Sequence, residues 1–125
     1  MNNKNYDLIK FEDGDFSLDV NVSPSEDTVW LTQAQIELYE RERSVITKHI
    51  KNIFLDNELD SKATCANFAQ VQNEGGRLIE RYVTYYNLDM ILAIGYRVKS
   101  SRGNMFRRWS NSILKQYLMK EIEKL

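Results

Sequence analysis

Thr32-Gln33-Ala34-Gln35-Ile36-Glu37-Leu38-Tyr39-Glu40-Arg41-Glu42-Arg43-Ser44-Val45-Ile46-Thr47-Lys48-His49-Ile50-Lys51-Asn52-Ile53-Phe54-Leu55 is the stretch on which the fold turns. Thr32 is a good N-cap, and Gln35 three residues on can close a capping box. A short helix is therefore expected from Gln33 to about Tyr39, burying Ala34, Ile36 or Leu38, and Tyr39. Glu40-Arg41-Glu42-Arg43 is a charged break. Ser44 can cap a second helix, Val45 to about Leu55. In it Ile46, Ile50, Ile53 and Phe54 recur at helical spacing and form one apolar face. Ser44, Val45, Thr47, Lys48 and Lys51 fall on other faces, open to solvent or a ligand. The gap from Ile36 to Ile46 is one residue short of the usual core spacing for such a helix pair. Either the turn is tightened, or Gln35 and Leu38 exchange places in the core.

On the N-terminal side, Tyr6 to Val22 alternates apolar and polar residues about Asp13-Gly14. Glycine there suits a tight hairpin turn, giving strands at about 7–12 and 15–21. Pro24 falls in a polar loop, Ser23 to Asp27, and Thr28-Val29-Trp30-Leu31 is strand-like. On the C-terminal side, Asp56 to Lys62 reads as a turn. Residues 64–72 and 78–86 read as two strands joined at Asn73-Glu74-Gly75-Gly76, the second rich in β-formers. Asn87 can cap a helix to about Tyr96, with Leu88, Ile91, Leu92 and Ile94 apolar and Gly95 near its end. After Ser100-Ser101 a longer helix is expected at about 102–124, buried along Phe106, Trp109, Ile113 and Tyr117. The class is α+β, one domain over 1–125. Its parts are a β-hairpin and strand (7–31), a helix pair (32–55), a second hairpin (64–86) and a helical part (87–124).

Composition narrows the function. The 125 residues are 42% hydrophobic and 28% charged, enough for one modest core with an ordinary surface. No apolar run approaches the ~18 residues of a membrane span, and no export leader is evident, so the cytoplasm is the expected compartment. The single cysteine, Cys65, cannot form an internal disulfide and reads as a small, partly buried residue. The formal charge of −1 conceals segregation. Acids dominate residues 1–30, whereas 97–120 hold Arg97, Lys99, Arg102, Arg107, Arg108, Lys115 and Lys120 and no acid. Catalysis is not expected: one histidine, His49, lies within a helix, and no nucleophile, base and orienting group fall in order. One Cys and one His make no zinc site, and Gly75-Gly76 lacks the lysine of a phosphate loop. No metal, cofactor or small-molecule substrate is expected.

A short capped helix, a tight turn, a second capped helix and a β-hairpin follow in the order of a winged helix-turn-helix. The second helix would enter the major groove of double-stranded DNA, with Thr47 and Lys48 reaching base edges. Arg41, Arg43, Val45 and Lys51 would flank them, the basic ones on phosphates, and Ser44 or the helix start could hold a phosphate. Arg77 at the hairpin tip would touch the backbone as a wing. Arg97, Lys99, Arg102 and Arg108 would add phosphate contacts. A rival reading has the chain as a protein-interaction or oligomerisation module, its basic stretch paired with acids such as those of 1–30. A homodimer through the C-terminal helix, by way of Tyr117, Leu118 and Ile122, is also expected.

Val29 to Ile36, Arg41 to Phe54, Glu58-Leu59-Asp60, Tyr85 to Val98, Ser101-Arg102-Gly103 and Phe106-Arg107-Arg108-Trp109 are together similar to the N-terminal region of the RhuM family ("virulence protein RhuM"). The similarity spans about residues 6–120. The stretch after Tyr85 resembles, more loosely, the N-terminal DNA-binding domains of phage antirepressors and BRO proteins. The resemblance implies DNA binding by a transcriptional regulator or antirepressor-like protein. Family members are usually longer, which implies an excised N-terminal domain. The first helix is one residue shorter than in typical relatives.

Overall fold

The computed structural model describes residues 7–39, 43–99 and 101–123, with side chains throughout except at 39, 118 and 121–123. In chain order the elements are β1 (Asp7–Asp13), β2 (Phe16–Ser23), a 3-10 turn (Pro24–Glu26), β3 (Thr28–Thr32), α1 (Gln33–Tyr39), α2 (Arg43–Leu55), α3 (Ser61–Thr64), β4 (Cys65–Glu74), β5 (Arg77–Asn87), α4 (Leu88–Val98) and α5 (Ser101–Glu123). The class is α+β. The five strands form one antiparallel sheet in the order β1-β2-β3-β5-β4.

The two hairpins turn as their glycines dictate. Asp13 pairs with Phe16, so the loop is Gly14-Asp15, one residue later than the sequence suggests. Gly14 has a φ of 62° and Asp15 a negative one, the sign pattern of a II′ turn. Glu74 pairs with Arg77, and both Gly75 and Gly76 have positive φ, as a I′ turn requires. The second loop is therefore two residues rather than the four expected, and Asn73 and Glu74 belong to the ladder.

Alternation along the strands puts one set of side chains under the helices. Phe11, Leu18, Val20, Val22, Val29 and Leu31 are buried together with Ile36, Ile46, Ile50, Ile53, Met90, Ile91, Ile94, Phe106 and Leu114. α5 lies along the edge strand β1, antiparallel to it. Arg102 meets Asp13 near one end, and Tyr117 meets Asp7 at the other. Fifteen helical residues rise ~22 Å and six strand residues ~20 Å, so the two ends match. Phe11 holds this contact, its ring 5.2 Å from Phe106 and 5.4 Å from Trp109. On the other face, Phe68 packs edge-on against Trp30 (6.0 Å) and Tyr85 (5.2 Å), and Gln70 donates to the Tyr85 hydroxyl at 2.6 Å.

Some local expectations need correction. Ile36 is buried, but Ala34 and Leu38 are exposed. Gln35 and Leu38 both stay out of the core, so the two do not exchange places there, and the turn at 40–42 lies outside the described residues. α2 begins at Arg43, so Ser44 sits in its first turn and is not the N-cap. α4 runs two residues past Tyr96, and its left-handed C-cap is Lys99 (φ 53°), whose N–H donates to the Gly95 carbonyl. The turn at 56–62 gives way to the short α3, whose cap Asp60 accepts from the Lys62 N–H.

Candidate nucleic-acid interface

The helix pair is built by its caps. Thr32 and Gln35 close the capping box in both directions: the Thr32 N–H donates to Gln35 Oε1 at 2.9 Å, and the Gln35 N–H donates to Thr32 Oγ1 at 3.2 Å. The amide of Gln35 also donates to the Asp19 carbonyl at 2.9 Å, which ties the start of α1 to β2. α2 then packs on α1 and α4 through Ile46, Ile50 and Ile53. Its other side faces solvent: Arg43, Ser44, Thr47, Lys48 and Lys51 are all exposed, and Val45 is half-buried. Positions 44, 47, 48 and 51 make one continuous stripe, because residues three and four apart are neighbours on a helix. The thirteen residues of α2 include no acid, so the stripe is positive along its length. A helix ~20 Å long with this face fits a major groove about 12 Å wide.

Gln33, the first residue of α1, reaches across to this stripe. Its Nε2 donates to Thr47 Oγ1 at 2.7 Å on the exposed surface. Nothing in the sequence signals this bond, which depends on the angle at which the two helices meet. Arg41 lies outside the described residues.

The far end of α2 is clamped. Arg97, in the last turn of α4, bonds Glu58 at 2.8 Å and Asp56 at 3.3 Å, the two acids that follow α2. The Glu58 bond holds the guanidinium firmly protonated. His49 sits nearby, and burial together with the charges of Arg97 and Lys48 lowers its pKa below the usual value. Arg102 is likewise engaged, 3.1 Å from Asp13 and 4.3 Å above the Phe16 ring. Of the C-terminal basic residues, Arg97 and Arg102 thus serve internal pairs. Arg107 opens on a cleft shared with Glu58 and Asp89. Lys99, Arg108 and Lys115 are exposed. α4 packs against both α2 and α5, so it stands between the α2 stripe and the basic residues of α5.

The β4–β5 hairpin projects from the sheet. β3 pairs with β5 only from Tyr85 to Asn87, whereas β4 and β5 pair without interruption from Cys65–Tyr86 to Glu74–Arg77. The arm beyond β3 is about 26 Å long at 3.3 Å per residue. Arg77 is exposed at its tip, and Arg81 holds Glu74 through two bonds of 2.6 and 2.7 Å. Val71, Leu78 and Tyr82 share one face of the arm and are largely exposed.

Residues 63–123 match the family model described as Virulence protein RhuM family. The resemblance to the RhuM family is shown over this stretch. The matched stretch holds the arm, α4 and α5 and begins after α2. No curated protein and no solved structure matches the chain. No described helix is long and apolar enough to cross a membrane. Among the described residues no group of three or more His, Cys, Asp or Glu could hold a metal ion.

Proposed function

We propose that this RhuM-family chain binds double-stranded DNA through α2, as a transcriptional regulator or antirepressor-like protein of the cytoplasm without catalytic role. The observation that carries the reading is the exposed, acid-free stripe of Arg43, Ser44, Thr47, Lys48 and Lys51. The connectivity supports it: β3-α1-α2-α3-β4-β5 with the strand order β3-β5-β4 would suit a winged helix-turn-helix, with α2 as the reading helix and the arm as the wing. Thr47 and Lys48 would face base edges, and Arg43, Lys51 and Arg77 would face phosphates. Lys99 and Arg108 would add phosphate contacts only if the duplex reaches past α4. Titration of labelled random duplex, single strand and RNA at about 50 and 200 mM salt tests the reading. Duplex should bind tightest and lose affinity steeply with salt. No binding to duplex at the lower salt refutes it.

A second reading, a protein-interaction module, is favoured by one observation: Val71, Leu78 and Tyr82 lie exposed on one face of the arm. Replacing Leu78 and Tyr82 with Ser separates the two, because duplex affinity should be insensitive to that apolar face. Self-association through α5 is a further proposal. Tyr117 is half-buried, the side chains of Leu118 and Ile122 lie outside the described set, and sedimentation of a chain trimmed at residue 110 tests it.

A further inference from the structure

We infer that β4 pairs antiparallel with β4 of a second copy of this chain, across a twofold axis at Ala69, so that two sheets join edge to edge. The inference is independent of duplex binding and concerns a different surface from α5.

The sheet has two edges, and the chain treats them differently. β1 carries Asp7, Lys10, Glu12 and Asp13, and α5 lies along it. β4 ends the sheet on the other side with neither protection. It runs ten residues, Cys65 to Glu74, with no proline, no bulge and no charge before Glu74. Charges, prolines, bulges and covering segments are what keep an exposed edge from pairing, so an edge lacking the first three is fit to be paired. The register says which groups it offers. Glu74 and Arg77 flank a two-residue loop and form a hydrogen-bonded pair. Such pairs alternate from there down the ladder. Cys65, Asn67, Ala69, Val71 and Asn73 therefore turn their N–H and C=O groups away from β5, toward the open edge.

A second β4 meets those groups in kind. The outward residues are centred on Ala69, so an axis there sets Ala69 opposite the partner's Ala69, Val71 opposite the partner's Asn67 and Asn73 opposite the partner's Cys65. Every outward donor then finds an acceptor. A charge near a twofold axis faces its own copy at close range, and β4 has none there. Its charges sit at the ends: Glu74 and Arg77 at the tip, Asp60 and Lys62 at the base. Antiparallel pairing brings the tip of one copy to the base of the other, where both signs are present. The side chains agree as well. Ala69 pairs with Tyr82, so the exposed Tyr82 of each copy flanks the joined Ala69 residues on one face, with exposed Val71 beside them. Association stops at two copies, because the far edge, β1, is covered by α5.

The test uses the whole chain without DNA. Sedimentation over a micromolar concentration series should show a monomer–dimer equilibrium for wild type. Ala69→Lys, which sets two lysines opposite each other, should raise the dimer dissociation constant about 10-fold or more with the far-UV circular dichroism unchanged. In a Cys65→Ser background, Ala69→Cys should join two chains through a short thiol-to-thiol cross-linker, the paired Cα atoms being about 5.5 Å apart. Glu80→Cys should not, since two strands and four residues of offset hold that pair ~20 Å apart. Without any substitution, the amides of Asn67, Ala69, Val71 and Asn73 should exchange with solvent more slowly as protein concentration rises. The inference requires all of these. A wild-type monomer throughout the series overturns it, as do fast exchange of those amides at every concentration and cross-linking at 80 as readily as at 69. A dimer that Ala69→Lys leaves intact, or that gives no cross-link at 69, is held by another surface and overturns it equally.

Discussion

Replacing Lys48 and Lys51 together with alanine should flatten the salt dependence of duplex binding by a calculable amount. Arg43, Lys48 and Lys51 are the cations of the exposed α2 stripe. Each phosphate neutralised contributes about 0.9 to the slope of log K against log salt. Three contacts give a slope near −2.7, so a fourfold rise in salt, from about 50 to 200 mM, costs about 40-fold in affinity. With only Arg43 left, the slope falls to about −0.9 and the same rise costs about 3.5-fold. Contacts elsewhere add equally to both proteins, so the difference of about 1.8 in slope is the quantity that matters. Both lysines are exposed, and stability should change by less than about 0.5 kcal/mol. Fluorescence anisotropy with a labelled duplex across four salt concentrations reads the slope directly. Arg102→Ala is the control: its guanidinium is held by Asp13 and Phe16, and the slope should stay as in wild type. Equal slopes for wild type and the double variant would refute the placement of DNA on α2.

Three further outcomes follow from the packing and charge. Asn87→Ala should cost about 1–3 kcal/mol in urea unfolding, because the buried side chain caps α4 by accepting from the Met90 N–H and also donates to the Ala63 carbonyl; a loss under about 0.5 kcal/mol would contradict this. Phe106→Ala should cost about 3–5 kcal/mol, since the ring is fully buried against Phe11 and Trp109, and an unshifted denaturant midpoint would argue against α5 packing on β1. His49 has a lowered pKa in the fold, so its neutral form is the one the native state favours. As pH falls through the ordinary histidine value of 6.5, the unfolded chain takes up a proton that the native state refuses, and stability drops. His49→Gln should lose part of that drop between about pH 7.5 and 5.5; an identical decline in both proteins would show that His49 does not contribute to it.

The helix pair was legible because its signals are local. A capping box needs two residues three apart, and Thr32 and Gln35 form it. The apolar face of α2 needs only period, and Ile46, Ile50 and Ile53 bury as their spacing implies. Turn positions were close but not fixed, because a hairpin's loop depends on which residues pair across it. Asp13 and Glu74 join their ladders once Phe16 and Arg77 are opposite. What escaped the sequence was long-range. That Ala34 and Leu38 face outward is decided by where β5 and α2 lie, not by hydrophobicity. Gln33 reads as an ordinary first-turn residue until α2 is placed within reach of its amide.

The C-terminal basic stretch shows the same division in electrostatics. Arg97 and Arg102 are five residues apart and read as one positive cluster. A chain bend at Lys99, in a left-handed conformation, separates them, and they meet carboxylates from different parts of the chain: Asp56 and Glu58 in one case, Asp13 in the other. The consequence for Arg97 is a change of role. By gripping both acids that follow α2, it covers the negative groups nearest the C-terminal end of that helix, where the helix dipole adds further negative potential. The acids would otherwise weaken the positive field of Lys48 and Lys51. If α2 binds duplex as proposed, Arg97 would assist that binding without touching the polyanion, because it pairs with the acids behind α2. On this reasoning Arg97→Ala should weaken duplex binding through α2 even though no phosphate contact is lost, and the salt slope per remaining contact should be unchanged.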